Sequence, residues 1–73
     1  MDPIVKYIQE WITDCATNRP SQKHTTIHIT KMLHILNLPN WNDTIVLSKL
    51  RELYDEVRFV LSPGKLYLYV EWS

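Results

Sequence analysis

The apolar residues of this chain recur at one period over most of its length and at another near its end. From residue 3 to 18, Ile4, Ile8, Trp11, Ile12 and Cys15 recur at three- and four-residue steps, with Val5 and Tyr7 beside them. That spacing predicts an amphipathic helix with one apolar stripe. Lys6, Glu10 and Asp14 fall on its other side. Asp2 suits the N-cap and Pro3 the first helical position. Asn18, Arg19, Pro20 and Ser21 stop the helix, because Pro20 biases Arg19 away from helical angles. Residues 22–27 are polar with two threonines and allow a very short strand. A second helix runs from about Ile27 or His28 to Leu36 on Ile29, Met32, Leu33 and Leu36. Asn37 is its C-cap and Pro39 prevents resumption. A third spans residues 42–55, with Asp43 as N-cap and Ile45, Val46, Leu50, Leu53 and Tyr54 carrying the period. Lys49 lies at the edge of that stripe.

After residue 56 the period becomes two. Val57, Phe59 and Leu61 alternate with Arg58, Val60 and Ser62. Leu66, Leu68, Val70 and Trp72 alternate with Lys65, Tyr67, Tyr69 and Glu71. Between them, Ser62-Pro63-Gly64-Lys65 fits a type II turn, with Pro and then Gly at its centre. The pattern predicts a two-stranded antiparallel hairpin. Pairing Leu61 with Leu66 sets Phe59 opposite Leu68 and Val57 opposite Val70, and leaves Arg58, Val60, Tyr67 and Tyr69 on the other face.

Composition narrows the function classes. Seventy-three residues make one domain, residues 1–73, with a core that must be efficient or shared. An apolar share of 45% and a charged share of 22% are those of a globular chain. One Cys excludes an internal disulfide framework and any Cys-rich zinc module. It fits an intracellular setting, cytoplasm or nucleus. A single Gly excludes a Gly-rich phosphate loop. The longest apolar runs are far below the ~20 residues of a membrane helix. No secretory pattern opens the chain and nothing repeats. Eight basic residues balance eight acidic ones, so no global field draws the chain to nucleic acid or membrane.

The order helix, short extended piece, helix, tight turn, helix, hairpin resembles a winged-helix domain over Thr25 to Trp72. "ITKMLHILNL" resembles the first half of a helix-turn-helix, "DTIVLSKLRELYDE" the recognition helix and "VRFVLSPGKLYLYVEW" the wing. The expected fold class is therefore α+β, a three-helix winged-helix-like domain with a C-terminal two-stranded wing. The left-handed-DNA binders among such domains carry an Asn and a Tyr four apart on the recognition helix and a Pro-Pro-x-Trp in the wing. Neither stands here.

The resemblance implies a small regulatory DNA-binding protein whose third helix enters the major groove. Asn42 and Arg51 would contact bases; Thr44, Ser48 and Lys49 would contact phosphates, and Lys65 the backbone at the wing tip. The acidic end of that helix, Glu52, Asp55 and Glu56, works against phosphate binding. Arg19, Lys23 and Lys31, with His24, His28 and His34, instead form an acid-free stretch. Together with Lys49, Arg51, Arg58 and Lys65 they could make one basic side. If the histidines cluster, binding strengthens below about pH 6.5. The alternative is a protein-interaction or homodimerisation module using Trp41, Arg58, Tyr67 and Tyr69, since exposed aromatic and Arg residues anchor interfaces. Trp11, Phe59 and Trp72 are expected in the core.

Catalysis and metal binding find no support in the residues. Cys15 lies on the apolar stripe, where thiols are usually inert. His24 and His28 lack a metal motif around them. No cofactor and no small-molecule substrate is expected.

Overall fold

The computed structural model describes residues 2–72. Its first element is the helix α1, Pro3–Asn18. The Asp2 carboxylate accepts the Ile4 amide at 2.8 Å, and Pro3 needs no amide partner at the first position. Ile4, Val5, Ile8 and Ile12 are buried, as their spacing predicts. The end is closed by the Arg19 amide, which donates to the Cys15 carbonyl at 2.9 Å.

Residues His24–His28 form a full strand, β1. Thr25, Thr26 and Ile27 are β-branched, and their burial alternates, with Thr25 and Ile27 inward. Helix α2, Ile29–Ile35, follows directly. His28 caps it: its Nδ1 accepts the Lys31 amide at 3.3 Å. Asn37 takes a left-handed φ of 56°, one position beyond the C-cap Leu36, and so ends the helix as expected of Asn.

Helix α3 covers Asp43–Leu53. Two expectations need correction here. The N-cap is Asn42, whose side-chain oxygen accepts the Ile45 amide at 3.1 Å, and Asp43 is the first helical residue. The helix also ends at Leu53, so Asp55 and Glu56 lie beyond it. Asp43 and Glu52 then balance Lys49 and Arg51 along the helix.

Strands β2, Arg58–Leu61, and β3, Tyr67–Glu71, form the expected hairpin. The Lys65 amide donates to the Ser62 carbonyl at 2.9 Å, and Gly64 has φ 78° and ψ 0°. Those are the angles of the third residue of a type II turn, where glycine carries no Cβ penalty. The register differs from expectation. Phe59 faces Val70 and Leu61 faces Leu68, two residues along from the predicted pairing. Lys65 continues in the left-handed region at φ 58°, and with Leu66 it lengthens the connection. Val57 consequently precedes the strand. A two-residue slip leaves every side chain on its expected face.

Among the described residues the sheet has three strands rather than two, in the order β1-β3-β2, all antiparallel. β1 pairs with β3 from His24 opposite Glu71 to His28 opposite Tyr67. The hairpin's inner strand is thus covered on both edges. One face of the sheet packs on the helices around Ile8, Ile27, Met32, Leu50 and Leu68, all essentially inaccessible. Phe59 is buried in this core and Trp72 packs against it. Trp11 departs from expectation: it is 40% exposed, its indole N–H donating to the Thr25 hydroxyl at 2.8 Å. Buried hydroxyls need such a partner, and placing the indole there keeps its ring at the rim.

Candidate functional site

Two surfaces collect the candidate residues. The first is the outer arc of α3. At about 100° per residue, Val46, Leu47 and Leu50 define the buried side of the helix. The middle of the opposite arc then holds Thr44, Ile45, Ser48 and Glu52, all exposed. A carboxylate and an isoleucine, 50% exposed, occupy the place where a groove-reading helix needs cations.

The cations lie on the flanks. Arg51 turns toward the sheet, and its guanidinium donates to the Phe59 carbonyl at 3.1 Å. Lys49 turns toward the start of α1, 3.9 Å from the Asp2 carboxylate. Lys65, at the turn between β2 and β3, reaches the Asp43 carboxylate at 3.1 Å. That contact does bring the turn beside the N-terminal end of α3. Lys65 accordingly holds the Asp43 carboxyl below the usual carboxylate range, chiefly by hydrogen bonding and then by its charge. Asn42 spends its side-chain oxygen on the helix cap. Of the six residues matched to nucleic-acid contacts, only Thr44 and Ser48 stand on the outward arc without such an engagement among the described residues.

The second surface is the outer face of the sheet. Alternation along three strands places eight side chains there in three rows. Across one end run His24, Glu71 and Arg58; across the middle, Thr26, Tyr69 and Val60; at the far end, His28 and Tyr67. All eight are exposed. Tyr67, Tyr69 and Val60 keep 38%, 47% and 43% of their surface accessible. His28 meets Tyr67 edge-on with ring centroids 5.0 Å apart. The His28 ring is therefore held from two sides, by this contact and by its cap bond. Arg58 and Glu71 are cross-strand partners, so the face carries one charge of each sign and no net field.

Trp41 does not join either surface. It is half-buried and packs on the core between α2 and α3. Nor do the basic residues form one side. Arg58 is on the outer sheet face, Lys49 beside α1, and Lys65 at the turn. The histidines divide as well: His24 and His28 are on the sheet face, whereas His34 is near the end of α2. Among the described residues no group of three or more His, Cys, Asp or Glu could hold a metal ion. No helix among them is long and apolar enough to cross a membrane. Cys15 is half-buried, with Gln22 Nε2 at 3.9 Å from its sulfur.

Two features escaped the sequence reading. The contribution of β1 to the sheet face was hidden because its partner strand lies some forty residues away. The destination of Arg51 carries no local signal at all. Comparison with protein-family models, with curated proteins and with solved structures gives no match.

Proposed function

We propose that this chain is a winged-helix-type domain that works as a protein-docking module, through the outer face of its sheet. The order of three helices and a returning hairpin supports the winged-helix reading. The observation that carries the docking reading is the exposed Tyr67–Tyr69–Val60 cluster, framed by His28, Arg58 and Glu71. Tyrosine offers a large contact area for few rotatable bonds, and its hydroxyl serves a wet rim.

Size sets the strength. Three strands at ~4.8 Å and five residues at ~3.4 Å give a face of about 14 by 17 Å. That is below the ~800 Å² per partner of a standard interface. The sheet face alone supports a weak, exchangeable complex with a neutral, partly aromatic surface.

DNA binding by α3 is the second reading, favoured by one contact: Lys65 beside Asp43 places the wing turn next to the N-terminal end of that helix. Two facts oppose it. Glu52 occupies the outward arc, and the cations on either flank are engaged elsewhere, Lys49 with Asp2 and Arg51 with the Phe59 carbonyl. Since affinity for duplex DNA grows with the number of phosphates neutralised, few contacts remain to drive binding.

A titration separates the readings. Labelled duplex and single-stranded DNA are titrated with protein to tens of micromolar at ~50 mM salt. The docking reading expects no saturable binding. Saturable binding that is lost in Lys49→Glu/Lys65→Glu establishes the DNA reading instead. In parallel, a partner captured by the wild-type domain is purified and its affinity measured. Loss of affinity in Tyr67→Ser/Tyr69→Ser, with Lys49→Glu unchanged, supports the sheet face; the reverse pattern rejects it.

A further inference from the structure

The two edges of the sheet are guarded differently. In an antiparallel ladder, the backbone groups of alternate residues point to the partner strand and to the open side. The Trp72 amide donates to the Lys23 carbonyl at 2.7 Å, and the Ile29 amide to the Leu66 carbonyl at 3.0 Å. Thr25 and Ile27 therefore point toward β3, while His24, Thr26 and His28 point outward. By the same count, Phe59 and Leu61 point outward from β2, consistent with Ser62 donating to Tyr67.

The β2 edge is closed to strand addition. Arg51 holds the Phe59 carbonyl, and the groove beside it is lined by Arg51, Asp55, Glu56 and Arg58. Charges and side-chain caps are the usual protection of an edge. The β1 edge has neither over its central residue. Its five residues, His-Thr-Thr-Ile-His, include no Lys, Arg, Asp or Glu. Among the described residues its one side-chain guard is the Gln22 amide, which donates to the His24 carbonyl at 2.7 Å. Trp11 lies over this strand and remains 40% exposed, in a groove that Asp14 and Arg19 also line, so apolar surface and one charge of each sign stand next to the edge.

We infer that β1 is a homodimerisation edge, pairing antiparallel with β1 of a second copy to give a continuous six-stranded sheet. The occupant follows from the difference between the edges. A β1-to-β2 contact would build an open filament, and the Arg51 cap and flanking charges of β2 oppose it. Of the edge contacts between two copies, β1 against β1 is the one left unopposed, and it is isologous and closes on itself. The register centres on Thr26. The two Thr26 residues exchange both backbone hydrogen bonds, and their side chains form the Thr–Thr pair that sheets favour. His24 of each copy comes opposite His28 of the other. No like-signed Asp, Glu, Lys or Arg residues from the strands meet. Gln22 competes for this edge, since its amide occupies the one carbonyl that His28 of the second copy would seek.

The edge is defined by backbone groups of β1, while the side chains of His24, Thr26 and His28 also stand on the outer sheet face; the inference does not rest on the docking reading, and the Tyr67→Ser/Tyr69→Ser variant separates the two. With so short a ladder, the dimer forms at about 0.1–1 mM. Sedimentation equilibrium of the whole chain from 20 µM to 2 mM tests it, with amide exchange followed residue by residue. Wild type is expected to dimerise, and the Thr26 amide to slow with concentration while the Thr25 and Ile27 amides stay protected throughout. Gln22→Ala tightens self-association by up to about 25-fold, roughly fivefold for each of two released carbonyls. Thr26→Pro removes only an outward donor and abolishes the dimer; Thr26→Lys does the same by charge and keeps the chain foldable if proline does not. A monomer at 2 mM with a fast-exchanging Thr26 amide overturns the inference. So does a dimer that survives Thr26→Lys and is lost in Tyr67→Ser/Tyr69→Ser, because it would use the face instead of the edge.

Discussion

Replacing Arg51 by alanine distinguishes a DNA-contacting residue from one that secures the fold. The guanidinium reaches from α3 to the Phe59 carbonyl at 3.1 Å in a partly buried contact. A hydrogen bond from a charged donor contributes roughly 1.5–3 kcal/mol when sheltered. Arg51 is largely exposed, so solvent and salt reduce this to about 1 kcal/mol. Unfolding entropy near 2.1 cal/mol/K per residue gives about 0.15 kcal/mol/K over this chain, so Tm falls by about 6–7 °C. Lys49→Ala is the matched control. Its partner Asp2 is 3.9 Å away and the lysine side chain is 52% exposed, so its removal changes Tm by about 2 °C or less. Thermal melts followed by circular dichroism at moderate salt read both. Equal melting of Arg51→Ala and wild type, or equal losses in the two variants, refutes the assignment of Arg51 as the tie between α3 and β2.

Three further substitutions probe the rest of the fold. Leu50→Ala, at a fully inaccessible position, is expected to cost about 2–5 kcal/mol. A chain of this length holds roughly 4–11 kcal/mol in all, so urea unfolding should show a midpoint cut by a large fraction or no folded baseline. Gly64→Ala meets no atom within 4 Å of the new Cβ, so its cost, about 1 kcal/mol, is that of φ 78° alone; a larger loss in urea would mean an unrecognised contact at the turn. For Asp43, the depressed pKa means that its stabilising contribution is present above the ordinary carboxylate range and lost as pH falls through the folded-state value. The urea midpoints of wild type and Asp43→Asn should therefore differ at pH 7 and converge at about pH 2; divergence on acidification would reverse the sign.

Local pattern carried most of the fold because each helix and the hairpin announce themselves by period and punctuation. Ile4, Val5, Ile8 and Ile12 could only share a face on a helix, and Pro63-Gly64 could only sit at a turn. Where two residues satisfied the same rule, pattern did not choose. Asn42 and Asp43 are equally good caps, and the chain uses the first. The hairpin register was open for the same reason: a shift of two residues keeps Phe59 and Leu61 inward, so alternation is blind to it, and the left-handed Lys65 decided the length. β1 was visible only as a possible short strand within residues 22–27, and not as a sheet member, since a strand owes its place to a partner distant in sequence. The candidate site divided likewise. The outward Tyr67 and Tyr69 follow from alternation, whereas the half-burial of Trp41 and the reach of Arg51 depend on how α2, α3 and β2 pack.

The balance of charge acquires a physical meaning on this fold. Lys65 neutralises Asp43, Arg51 caps an edge carbonyl, and Arg58 stands opposite Glu71. The first two act within the domain and the third is matched in charge across the strands, so on the docking reading the sheet face is read by shape and aromatic contact rather than by a long-range field. Association then lacks electrostatic steering, and its rate should be of the unsteered order, ~10⁵–10⁶ M⁻¹s⁻¹. It should also vary little between 50 and 300 mM salt, beyond which a Debye length of less than ~8 Å leaves only contact pairs in play. A nucleic-acid complex of even four phosphate contacts would lose several hundredfold or more over the same span. Salt dependence measured by stopped flow thus reports which kind of surface is in use before any partner residue is known. A steep slope would mean that the internal ion pairs of α3 open on binding, and would return its flanking cations, Lys49 and Lys65, to the phosphate-binding role that their positions first implied.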